Sequence, residues 1–201
     1  MLSIQLDTIV QNAGVSACEK GKHWGWAVGL LHNAKLTGLR PDAVTANAAA
    51  SACEKGRRWE AALVVLEEAP QDAIAAEVVT YNAGISACEK AGVWKLGVRL
   101  LREMPHRRLT PNVVSYSAGI SACERGGQWE LGLSLLAELR VRQLTPNVIS
   151  YSAGISACEK GGRWCSSLAL LEEMPARRLA PNLVSVRSAI CACDAEGLWR
   201  R

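Results

Sequence analysis

Ser115-Tyr-Ser-Ala-Gly-Ile-Ser-Ala-Cys-Glu124 returns letter for letter at Ser150 to Glu159, 35 residues further on. A near copy, Thr-Tyr-Asn-Ala-Gly-Ile-Ser-Ala-Cys-Glu, runs from Thr80 to Glu89, and looser copies occupy Val10 to Glu19 and Thr45 to Glu54. A fixed period of this size is one supersecondary unit copied in tandem. With Val78 as repeat position 1, five full repeats cover 8–42, 43–77, 78–112, 113–147 and 148–182. A partial sixth covers 183–201, and an N-terminal segment, 1–7, lies outside the frame. Units of this kind pack only on their neighbours, so the expected core is a continuous seam and not a single globular centre.

Composition is that of a folded chain: 49% of the 201 residues are hydrophobic. The formal net charge of +4 permits a polyanion partner without demanding one. No apolar run approaches the length of about 18 residues that spans a bilayer, so a membrane is not expected as a partner. The first seven residues lack a basic region before an apolar one, which argues against a secretory signal, and they are too few for an organellar transit peptide. The array starts abruptly and stops mid-repeat, which leads us to expect a longer one.

Eight cysteines would ordinarily prompt a disulfide or metal reading. Six of them, Cys18, Cys53, Cys88, Cys123, Cys158 and Cys193, recur every 35 residues at one repeat position. Helices of stacked repeats stand about 10 Å apart, beyond disulfide reach of about 7 Å. These six are therefore read as small buried apolar residues. Cys191 and Cys193 form a lone Cys-x-Cys without a second pair, and Cys165 is alone. No metal site or other cofactor is expected. The three histidines, His23, His32 and His106, share no repeat position, so no catalytic constellation is expected either.

Within a repeat, positions 1, 4, 8 and 11 are mostly apolar, as in Val78, Tyr81, Ile85 and Cys88, the spacing of one helix face. This predicts a first helix over positions 2 to 14. Glycines past the stripe, Gly21, Gly56, Gly92, Gly126-Gly127 and Gly161-Gly162, are stop signals. Trp24, Trp59, Trp94, Trp129, Trp164 and Trp199 then open a second stripe, continued in repeat 3 by Val98, Leu101 and Met104. This predicts a second helix over positions 17 to 28. Small residues at position 20 (Ala27, Ala62, Gly97, Gly132, Ser167) allow close helix approach. Pro70, Pro105 and Pro175 are expected to end three second helices, and Pro41, Pro111, Pro146 and Pro181 mark the links. Gly14, Gly84, Gly119 and Gly154 sit inside the first helices at a cost of about 1 kcal/mol each against alanine, for which close packing is the expected reason.

Val78 to Lys90, Val-Val-Thr-Tyr-Asn-Ala-Gly-Ile-Ser-Ala-Cys-Glu-Lys, resembles the pentatricopeptide repeat consensus. So do the endings Glu-Met-Pro-x-Arg-Arg-Leu-x-Pro-Asn at Glu103 to Asn112 and Glu173 to Asn182. The unbroken 35-residue period is similar to the plain class of that family. The resemblance implies an all-α fold, a right-handed α-solenoid of helix-turn-helix repeats with the first helices on its inner surface. It implies single-stranded RNA as partner, one nucleotide per repeat, in organellar (chloroplast or mitochondrial) RNA processing, stability or translation. A protein-interaction scaffold on the same solenoid is the alternative, and the second-helix face is left for protein partners in either case. No small-molecule substrate is implied.

Three sets of positions follow from the resemblance. Position 5 carries Asn12, Asn47, Asn82, Ser117 and Ser152, and position 35 carries Asp42, Glu77, Asn112, Asn147 and Asn182. Helix capping explains position 35 well and position 5 poorly, because position 5 lies past the first turn. By resemblance the pairs read bases: Asn12/Asp42 U, Asn82/Asn112 a pyrimidine, Ser117/Asn147 and Ser152/Asn182 A, with Asn47/Glu77 open. The implied site is 5′-U-N-Y-A-A-3′. Arg187 replaces Asn or Ser in the partial repeat, which is expected to read nothing specific. Position 2 is branched throughout, Ile9, Val44, Val79, Val114, Ile149 and Val184, and is either core or a base-sandwiching row. Position 13 carries Lys20, Lys55, Lys90, Arg125 and Lys160. These either complement the helix dipole or contact phosphate, beside a row of glutamates, Glu19, Glu54, Glu89, Glu124 and Glu159, that partly cancels their field. Arg107-Arg108 and Arg177-Arg178 are expected to be solvated.

Overall fold

The computed structural model describes residues 8–37, 41–68 and 77–195. The N-terminal segment, Pro70, Trp199 and the rest of 196–201 lie outside the described residues. First helices are α1 (Thr8–Gly21), α3 (Ala43–Lys55), α5 (Val78–Ala91), α7 (Val113–Arg125), α9 (Val148–Lys160) and α11 (Leu183–Ala195). Second helices are α2 (Trp24–Leu36), α4 (Trp59–Glu68), α6 (Trp94–Glu103), α8 (Trp129–Val141) and α10 (Trp164–Ala176). A 3-10 turn, Met104–Arg107, extends α6. Each of the first helices α3, α5, α7 and α9 packs on its own second helix, on the second helix of the preceding repeat, and on the first helices before and after it. The result is a two-layered α-solenoid.

Local chemistry sets the helix ends. Asn112 Oδ1 accepts from the N–H groups of Val114 (3.0 Å) and Ser115 (3.1 Å), while the Asn112 N–H donates to Ser115 Oγ (3.1 Å). Asn147 and Ser150 repeat this capping box at α9. First helices α1, α3, α5, α7 and α9 end in a left-handed residue: Gly92, Gly127 and Gly162 at φ 77°, 66° and 64°, but Lys22 and Arg57 at 59° and 56°. The following N–H returns to the conserved-register cysteine carbonyl, as in Gln128 to Cys123 (2.9 Å) and Arg163 to Cys158 (2.8 Å). Glycine is therefore the common but not the obligatory stop. Pro175 does not end its helix, which runs on to Ala176 with the proline inside it. The turn survives because the Arg177 N–H still reaches Glu173 O at 3.2 Å. Pro105 does close a helix, falling in the 3-10 turn.

One buried cluster extends from Leu66 to Ala189, which is the seam expected of stacked units. Cys53, Cys88, Cys123 and Cys158 lie in the interior, where burial pushes their thiols up to about 11. Cys193 is buried as well, whereas Cys18 is only half-buried and departs from the expected pattern.

Two of the glycines inside the first helices have a specific close partner. A Cβ on Gly84 would come within 2.5 Å of Leu66 Cδ1, and one on Gly119 within 2.9 Å of Leu101 Cδ2. Leu66 and Leu101 occupy position 24 of the preceding repeat, so the missing side chain is the socket for a leucine of the unit before. At position 20 the space is less tight. A Cβ on Gly132 would meet Cys123 Cβ at 3.6 Å and Ala157 Cβ at 3.7 Å, ordinary contact distances. Gly132→Ala is thus expected to raise stability by about 0.5–1 kcal/mol through helix propensity and reduced unfolded-state entropy. Gly132→Leu should lower it by about 1–3 kcal/mol through overpacking. Urea-unfolding midpoints of the two variants check the change of sign.

Repeats 3 to 5 also carry a polar clasp between their two helices. Tyr116 Oη donates to Glu138 Oε1 (2.8 Å), which also accepts from Arg142 Nε (3.0 Å). Burial, then the Glu138 hydrogen bond, pushes the Tyr116 phenol up to about 12. Tyr81, Glu103 and Arg107 form the same set, and Tyr151 and Glu173 are joined by Arg140 and Arg177. Arg107 and Arg177 are therefore ion-paired and not merely solvated, whereas Arg108 and Arg178 are exposed turn residues in left-handed backbone.

Candidate nucleic-acid interface

Positions 2, 5, 9 and 13 fall on one stripe of an α-helix, because eleven residues complete close to three turns. On the first helices this stripe faces away from the second-helix layer at its position-2 end. Ile9, Val44, Val79, Val114, Ile149 and Val184 are 49% to 73% exposed. The core reading of this row is therefore wrong. A rank of branched apolar side chains stands in the open at one place in every repeat, where a hydrophobic contribution to stability is largely forgone.

Beside that row the position-5 and position-35 side chains meet. Asn12 Nδ2 donates to Asp42 Oδ2 at 2.9 Å, Asn47 Nδ2 to Glu77 Oε2 at 3.1 Å, and Asn82 Nδ2 to Asn112 Oδ1 at 3.4 Å. Ser117 Oγ, whose shorter hydrogen bond is donated to Val113 O at 2.7 Å, lies 3.3 Å from Asn147 Oδ1, and Ser152 Oγ donates to Asn182 Oδ1 at 3.2 Å. The structure thus brings together all five pairs named from the sequence. The reason is local: position 35 caps the next first helix, so it lands beside position 5 of the helix before. Asn82, Ser117 and Ser152 keep only 9%, 5% and 7% exposure, so they are recessed between successive first helices and do not project from them. Their partners Asn112 and Asn182 are exposed, and Asn147 is half-buried.

Position 3 supplies a further set of side chains at this candidate site that the sequence reading missed. Ser115 Oγ donates to Asn82 Oδ1 at 2.6 Å, and Thr45 and Thr80 hydroxyls donate likewise to Asn12 and Asn47. The hydroxyl fixes each asparagine carbonyl and so turns its NH2 group toward position 35. One N–H of that amide is left over for a ligand. In the capping asparagines Asn112 and Asn147, Oδ1 is engaged by the helix, and Nδ2 donates to nothing among the described residues. Asp42 differs in offering only acceptors. Burial pushes its carboxyl up, but hydrogen bonds from Thr45, Asn12 and Val44 outweigh this and hold it below the ordinary carboxylate value. The signal for position 3 was present in the repeat, as an invariant Thr or Ser from Thr45 through Ser185.

Position 13 lies at the far end of the stripe. Lys55 Nζ reaches Glu19 Oε1 at 2.8 Å, Lys90 Nζ reaches Glu54 Oε1 at 2.8 Å, Arg125 Nε reaches Glu89 Oε1 at 3.1 Å and Lys160 Nζ reaches Glu124 Oε1 at 2.5 Å. Each cation is held by a carboxylate of the preceding repeat. Lys20 is exposed on the same stripe, as is Arg187 at position 5 of α11.

Two family models match the sequence: the PPR repeat family over residues 76–125, and the pentatricopeptide repeat domain over residues 29–91. No protein with a curated description matches it. Among solved structures, the fold is similar to the pentatricopeptide repeat protein PPR10 in complex with an 18-nucleotide psaJ RNA element. That likeness has a TM-score of 0.76 and 17% identity over 96% of this chain and 28% of that one. Maize PPR10 alone gives a TM-score of 0.67 and 26% identity over 93% and 27%. The repeat domain of Arabidopsis thaliana protein-only RNase P 1, in complex with tRNA, gives 0.65 and 13% over 75% and 80%. The chain thus spans little more than a quarter of PPR10.

Proposed function

The chain is a pentatricopeptide repeat protein, and we propose that it is a non-catalytic, sequence-selective reader of single-stranded RNA, taking one nucleotide per repeat. One observation carries the reading: exposed branched residues at position 2 lie beside close polar pairs at positions 5 and 35, in register through five repeats. An apolar residue at the first turn of successive helices can grip the faces of a base. The recessed polar pair between those helices can meet its Watson–Crick edge. PPR10 and the RNase P repeat domain, which share the fold, are described with RNA bound.

The pair chemistry supports the assigned bases. Asp42 is an acceptor-only group, suited to the N–H of uracil, while the free amide NH2 of Asn147 and Asn182 can donate to adenine. Organellar RNA processing, stability or translation is the setting the family resemblance implies. A protein-interaction scaffold would have no use for a polar pair between every two first helices. RNA carrying 5′-UCUAA-3′ should bind more tightly than a scrambled RNA of equal composition, with modest affinity because five contacts of roughly 1–3 kcal/mol each are offset by association costs. Asn82→Ala should weaken binding and lower that preference in a fluorescence-anisotropy titration. Equal binding of both RNAs, unchanged in the variant, would contradict base reading.

A further inference from the structure

We infer that Glu19, Glu54, Glu89 and Glu124 are specificity-determining residues that withhold the interface cations from RNA backbones lacking the right bases. The inference rests on the RNA-reading proposal and concerns the same surface. Its observation is the ladder of ion pairs. Every cation from Lys55 to Lys160 on the position-13 row is engaged, at 2.5 to 3.1 Å, by a glutamate of the repeat before it. The cation side chains remain 35% to 49% exposed, so they can still be reached from solution. Four positive and four negative charges cancel along this part of the stripe, which therefore exerts little net field on a polyanion.

A phosphate can take one of these cations only by displacing its carboxylate, or by approaching to within a few ångströms of that carboxylate's negative charge. That cost is the same for every RNA sequence. Sequence-independent attraction normally supplies nearly all non-specific binding. Suppressing it leaves the position-2 and position-5/35 contacts to decide which RNA binds. The ladder thus trades raw affinity for discrimination. The carboxylates also tie successive first helices together, but a part-exposed ion pair adds little to stability, so stitching alone is a weak use for them.

The test compares two variants of equal net charge. E54Q/E89Q/E124Q removes three ladder carboxylates. E60Q/E130Q/E172Q removes three exposed carboxylates on the second helices. Affinity for UCUAA RNA, scrambled RNA and heparin is measured across a salt series. The ladder variant is expected to bind scrambled RNA and heparin about tenfold or more tightly at low salt. Its log–log salt dependence should steepen by about 2, at roughly 0.7 per newly neutralised phosphate. Preference for UCUAA should narrow, while the second-helix variant changes little. Equal shifts in the two variants, or no shift in the ladder variant, overturn the inference. Single E89Q, expected to steepen the slope by about 0.7, decides the question if the triple variant does not fold. The heparin arm also separates the two proposals. A wild-type protein indifferent to RNA sequence refutes base reading, yet the heparin comparison still reads the ladder.

Discussion

Ile120→Ala is expected to lower the free energy of unfolding by about 2–5 kcal/mol, through lost burial and the cavity left behind. Ile120 has no exposed surface, and it belongs to the same buried seam as Leu101 and Leu135. A stacked array has stability terms for each repeat and for each interface between neighbours. The loss should therefore be local. Hydrogen exchange should show reduced protection in α5, α7, α8 and α9, with α1 and α2 little changed. Val114→Ala makes the control, since it lies six residues away on the same helix and is 55% exposed. Its effect on stability should stay within about 0.5 kcal/mol. Similar losses in the two variants would contradict the assignment of positions 2 and 8 to open face and core.

The second large effect concerns binding. The triple substitution Val79→Ala, Val114→Ala and Ile149→Ala removes three members of the exposed row. If each side chain gains about 1 kcal/mol when a base covers it, affinity for UCUAA RNA should fall about 100-fold. The melting temperature should hold or rise slightly, because alanine is the better helix former. Affinity unchanged by the triple substitution would mean that nothing covers this row in the complex. A large loss of stability would mean that the row belongs to the core after all.

How much of this was legible beforehand follows from the reach of each interaction. The helices, their phase and their stops were legible because apolar spacing, glycines and prolines act within a turn or two. The position-5/35 pairing was legible by resemblance, and the structure supplies its cause in the cap of the following helix. Position 2 stayed undecided in the sequence. Branched residues suit both a core and an open apolar row, and only packing separates the two. The ion-pair ladder was half legible. Glutamates and cations were visible as adjacent rows, but their partners are 36 residues apart, and the stagger of stacked first helices decides who meets whom. The leucine sockets at Gly84 and Gly119 depend on that same stagger. Pro175 was misjudged because a proline near a helix end removes one hydrogen bond without forbidding another turn residue. The Tyr–Glu–Arg clasps were missed because they join residues 22 apart on different helices.

The most direct measurement is the base preference of Ser117→Asn. Ser117 faces Asn147, and the substitution recreates the Asn82/Asn112 pair one repeat further along. Titrations against four RNAs differing only at the fourth base of 5′-UCUAA-3′ read the outcome. The account predicts that the preference at that base moves from A to a pyrimidine, with the other positions unchanged. An unaltered preference for A, or an equal loss for all four RNAs, would contradict it.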